Sequence, residues 1–70
     1  MDPRAREMLW AAEEGKLARL AALLEEGVDS DTQDELGRTA LMWASMRAHR
    51  ECMELLITKG ANVNEKDNRG

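Results

Sequence analysis

The residues best placed to do chemistry are an acidic run, Asp29-Ser30-Asp31-Thr32-Gln33-Asp34, one histidine, His49, and one cysteine, Cys52. Asp29, Asp31 and Gln33 stand at positions 1, 3 and 5 of a potential calcium loop. Such a loop also needs glycine at position 6 and a bidentate glutamate at position 12. Those positions are Asp34 and Ala40, so both the sharp turn and the strongest ligand are missing. His49 and Cys52 have the types of a nucleophile and its base, but no third group of the right chemistry lies near them apart from Glu51. A turn role for His49 and a small apolar role for Cys52 are the simpler readings. The glycines Gly27, Gly37, Gly60 and Gly70 recur at intervals, as turn punctuation does, and form no phosphate-cradling loop. No catalytic residue, metal ligand or cofactor site is expected.

The elements that carry these residues are short helices. Asp2 is suited to cap a helix with Pro3 in its first turn, and Gly15 ends it. From Leu17, apolar residues fall at Leu17, Leu20, Ala21 and Leu24, a one-sided helical pattern that stops at Gly27. Residues 28 to 38 lose this period and gather turn formers. Thr39 caps the next helix, in which Leu41, Ala44, Ser45 and Ala48 share a face of mostly small side chains. After a break near Ala48 and His49, the stretch Glu51 to Lys59 carries Cys52, Met53, Leu55, Leu56 and Ile57 as a wide apolar band, ending at Gly60.

The second half copies the first. With an offset of 33, Trp10 meets Trp43, Ala11 meets Ala44, Leu23 meets Leu56, Gly27 meets Gly60, Asp34 meets Asp67 and Gly37 meets Gly70, without an insertion. A fixed period of this size means stacked supersecondary units, each unable to bury its apolar face alone.

The run Thr39-Ala40-Leu41-Met42-Trp43-Ala44, preceded by Asp34-Glu35-Leu36-Gly37 and followed by "LLITKGANVN", resembles the ankyrin repeat, whose signature is T-P-L-H-x-A. Ala40 and Met42 replace the signature's proline and histidine, and Met42 cannot make the polar contacts between repeats that this histidine commonly makes. The resemblance implies an all-α, ankyrin-type helical solenoid fragment, with helix-turn-helix pairs joined by a β-hairpin-like loop. Residues 2–33 read as an N-terminal capping repeat, 34–66 as a full repeat and 67–70 as the opening of a third.

The function it implies is a non-catalytic protein–protein interaction module, an adaptor, scaffold or regulatory surface built from hairpin tips and inner helices. The alternatives are a structural N-terminal cap of a longer array and the regulatory arm of a larger enzyme. On a helical wheel Trp43 lies about 200° from Leu41, beside Met46 and Arg47, and these types are enriched at interfaces. Trp10 and Trp43 either contact a partner or stack on each other between units. By carry-over from the family, the remaining partner-facing positions are Glu13, Glu14, Gln33, Glu35, Leu36, Arg38, Lys66, Asn68 and Arg69.

The net charge of −4 argues against nucleic acid and anionic membrane as partners, since both call for a basic excess. No apolar stretch approaches the roughly 20 residues of a membrane span. The opening "MDPRAREM" carries charges where a secretory signal would be apolar, and a lone cysteine cannot form an internal disulfide. These features point to an intracellular protein, cytoplasmic or nuclear. Because solenoids generally need three or more repeats, the chain is expected to be weakly stable or to self-associate through an uncapped C-terminal face.

Overall fold

The computed structural model describes residues 2–60. Four helices follow in order: α1 (Pro3–Glu14), α2 (Leu17–Glu25), α3 (Ala40–Met46) and α4 (Arg50–Thr58). Among the described residues there is no strand. α1 pairs with α2 and α3 with α4, and the two pairs stack so that α1 lies on α3 and α2 on α4.

Local chemistry starts the helices. The Asp2 side chain accepts a hydrogen bond from the Arg4 backbone N–H at 2.9 Å, with Pro3 in the first turn. Thr39 Oγ1 accepts from the Met42 N–H at 3.3 Å and is itself almost fully buried. Both bonds occupy backbone donors that helix geometry leaves unpaired. α1 ends at Gly15, whose φ of 74° is a left-handed value that favours glycine. The matching break in the second pair falls at Ala48, at φ 59°.

The core consists of Met8, Leu9, Ala11, Ala12, Leu20, Leu23, Ala40, Ala44, Cys52 and Leu56, flanked by half-buried Leu24, Val28, Leu41, Trp43, Met53 and Leu55. One expectation needs correction here. The buried residues of α3 are Ala40 and Ala44, whereas Leu41 is half-buried and Ser45 and Ala48 are exposed. Burial follows the side of α3 that lies on α1, and a seven-residue helix makes too few turns for apolar spacing to select that side. The last helix also runs one residue earlier than its apolar band suggests, from Arg50 to Thr58.

The connection between the pairs folds back at residues 34–38, where the Asp34 N–H donates to the Arg38 carbonyl and the Gly37 N–H to the Asp34 carbonyl, both at 2.9 Å. It has the form of a tight hairpin without a ladder. Lys66, Asn68 and Arg69, and the proposed start of a further repeat at 67–70, lie outside the described residues.

Candidate partner-binding site

The 34–38 turn positions the first large side chain of the site. Asp34 Oδ1 accepts the backbone N–H groups of Leu36 and Arg38, each at 2.9 Å, and Oδ2 accepts the indole N–H of Trp43 at 2.9 Å. Burial pushes the Asp34 carboxyl up, but these hydrogen bonds and the nearby Arg38 charge outweigh it and hold the group below its ordinary value. The Arg38 guanidinium lies over the Trp43 ring, 5.3 Å from its centroid, within cation–π range. Polar contacts from its own unit therefore hold Trp43.

Trp10 comes from α1 of the preceding unit and remains 47% exposed. It lines, with Trp43, a groove of about 200 Å³ whose other walls are Arg6, Leu9, Glu13, Asp34 and Glu35. Ion pairs cross the seam between the helix pairs at both ends of this groove. Arg6 Nη2 lies 3.7 Å from Glu35 Oε1, and Arg47 Nη2 donates to Glu13 Oε2 at 2.9 Å. Beyond Glu13, the His49 Nε2 is 3.0 Å from the Glu13 carbonyl, and the His49 ring sits on Gly15 so closely that an added Cβ would lie 2.7 Å from it.

The groove thus gathers Trp10, Glu13, Glu35 and Trp43, with Arg38 and Arg47 holding two of them. Leu36 is 49% exposed in the 34–38 turn, and Met46 is 50% exposed but does not line the groove. Gln33 is exposed, its amide donating to the Gly37 carbonyl at 2.8 Å, and Glu14 is exposed as the last residue of α1. Arg6, Leu9 and Asp34 were not singled out from sequence as site residues. For Asp34 a signal existed, since an aspartate opening a turn three residues before glycine is suited to accept backbone N–H groups.

The remaining polar candidates have structural partners. Asp29 Oδ1 accepts the Asp31 N–H at 2.9 Å, and the Thr32 hydroxyl donates to the Asp29 carbonyl at 2.8 Å. Among the described residues, no three His, Cys, Asp or Glu side chains gather as metal ligands would. Cys52 is buried, and burial, helped by the Glu51 charge, pushes its thiol pKa up, which disfavours the reactive thiolate. No helix among the described residues is long and apolar enough to cross a membrane.

A family profile described as "Ankyrin repeats (3 copies)" matches residues 8–70. The chain is 49% identical over 63 residues to the ankyrin repeat domain-containing protein 29 of Danio rerio, and 43% identical over 63 residues to that of Homo sapiens. In each case the match covers 89% of this chain and 21% of the relative, so the chain spans about a fifth of their length. It is also 33% identical over 69 residues to a palmitoyltransferase of Candida glabrata, covering 97% of this chain and 9% of that protein. The 33-residue period, the paired helices and the matched profile agree: the chain belongs to the ankyrin repeat family, whose repeats generally act as protein–protein interaction modules.

Proposed function

We propose that this chain binds another protein through the Trp10–Trp43 groove, without catalysis, as an adaptor or regulatory surface. The observation that carries this reading is the placement of two tryptophans, one from each helix pair, in a single groove edged by Arg6, Arg38 and Arg47. Tryptophan and arginine are the side chains most often found as binding anchors, and a groove shared by two units exists only when the units are stacked. Recognition would extend to the exposed Leu36 of the 34–38 turn and to Glu14 and Met46 at the ends of the inner helices. Residues 2–33 act in this reading as the capping unit and 34–66 as the full repeat. An intracellular setting, cytoplasmic or nuclear, accords with the single buried thiol of Cys52.

The test starts from a partner identified by affinity capture and measures its affinity for single variants. Trp10→Ala removes an exposed ring and is expected to weaken binding by about tenfold or more. Arg47→Glu, which places like charges together beside Glu13, should weaken it as well. Unchanged affinity in both variants would sink the proposed face.

A second reading, a structural cap on a longer array, is favoured by one observation. The outward side of the first unit is closed by a bidentate pair in which Arg19 donates to Glu7 through Nε and Nη2. In that case binding by an array containing this chain would survive removal of residues 1–33. The palmitoyltransferase relative keeps the third option, a regulatory arm of an enzyme, within the same test.

A further inference from the structure

The two tryptophans are equivalent by the 33-residue period but have different neighbours. In the second unit Arg38 lies over the Trp43 ring and Asp34 accepts the indole N–H, so this ring holds a cation beside a carboxylate. At the same offset in the first unit, the position matching Arg38 is the buried Ala5, and the one matching Asp34 is Met1. Trp10 is the exposed ring of the two, and among the described residues no cation lies over it.

The groove beside Trp10 has the charge to receive one. Three carboxylates line it, those of Glu13, Asp34 and Glu35, against the single guanidinium of Arg6. Arg38 and Arg47 stand outside this lining, the first over Trp43 and the second bonded to Glu13. Glu13 follows Trp10 by three residues on α1, so the two side chains share a face of the helix. Glu35 approaches across the seam from the 34–38 turn. Its contact with Arg6 is long, 3.7 Å, between side chains that are 65% and 79% exposed. A pair of that kind contributes little and yields readily to another cation. The groove volume of about 200 Å³ lies below the roughly 300–1,000 Å³ of a small-molecule pocket and suits a single side chain.

We propose that the groove recognises an arginine in an extended basic segment of the partner protein, an inference that rests on the groove being the partner-binding site described above. The guanidinium stacks on Trp10 and pairs with Glu13 and Glu35. It is planar and keeps its charge, so it can lie on an indole while its edge donates to a carboxylate. An ammonium has no face to stack and is more strongly hydrated, which places lysine second. Arg38 on Trp43, with the Asp34 carboxylate close enough to feel its charge, is an example of the same arrangement within the chain. The net charge of −4 steers a basic segment toward the chain and disfavours an acidic one.

The test titrates the full 70-residue chain with four short extended peptides, identical except for a central arginine, lysine, citrulline or glutamate. Binding is followed by the indole N–H signals of Trp10 and Trp43 in proton–nitrogen spectra. The arginine peptide is expected to shift the Trp10 signal saturably, the lysine peptide to bind more weakly, and the citrulline peptide, an uncharged isostere, to bind at least about tenfold more weakly. Glu13→Gln and Glu35→Gln should retain helical circular dichroism and each weaken arginine binding by about threefold. Glu54→Gln removes the same charge from an exposed position outside the groove and should leave it unchanged. Equal binding of the arginine and citrulline peptides, a preference for glutamate, or arginine binding indifferent to both groove glutamines would each overturn the inferred partner chemistry while the groove itself stands. No shift at Trp10 with any peptide would overturn it too, and the groove then falls as a binding site only if a captured partner is also indifferent to Trp10→Ala.

Discussion

Gly15 and His49 form the contact in which a single atom decides the most. Glycine at φ 74° avoids left-handed strain, and its bare Cα admits the imidazole that reaches the Glu13 carbonyl. Gly15→Ala should therefore destabilise the fold by about 1–2 kcal/mol in denaturant titration, from strain and from the displaced ring together. Much of the second part should vanish in a His49→Ala background, and equal costs in both backgrounds would show that the ring is not involved. Ala48 presents the reverse case. Its φ of 59° is strained for alanine, so Ala48→Gly is expected to stabilise by roughly 0.5–1 kcal/mol, read as a higher denaturation midpoint. Asp34, with three hydrogen bonds to its carboxylate, is the residue that orients Trp43; Asp34→Ala should cost about 1.5–3 kcal/mol and leave the Trp43 fluorescence more solvent-exposed.

Among the elements, α3 is the most dependent on its surroundings. Seven residues are too few to be helical alone in water, and its stability comes from the Thr39 cap and from Ala40 and Ala44 packed on α1. Thr39→Ala is expected to cost about 1 kcal/mol, measured by thermal or denaturant unfolding, because it unpairs the Met42 N–H. Arg47→Ala removes an exposed ion pair to Glu13 and should change stability by less than about 1 kcal/mol, so a loss of partner binding in that variant would report on the surface and not on folding.

At the scale of the whole fold, two helix pairs share one inter-unit interface among the described residues. The pH dependence follows from three carboxylates held below their ordinary values: Glu7 by its hydrogen bond from Arg19, Glu25 by that from Lys59, and Asp34 by the net of its bonds over burial. A depressed carboxylate contributes stability that is present above its unfolded pKa, about 4, and is lost as pH falls through the folded value. Denaturation midpoints should drop on acidification below that range, and the drop should be smaller in Asp34→Asn, whose amide does not titrate.

Local rules made much of this readable. Caps at Asp2 and Thr39, the stop at Gly15 and the turn at residues 34–38 are each fixed by a few neighbouring residues, and so the sequence alone determined four helices, their order and the repeat that stacks them. The choice of Ala40 over Ser45 for the core, the hold of Asp34 on Trp43 nine residues away, and the meeting of Trp10 with Trp43 were decided only in three dimensions. A period specifies which residues are equivalent, whereas contacts depend on how far one unit is rotated against the next. That rotation is set by the side chains at the seam, Gly15 under His49 and Glu13 against Arg47, whose effect cannot be summed along the chain because they lie more than thirty residues apart in it.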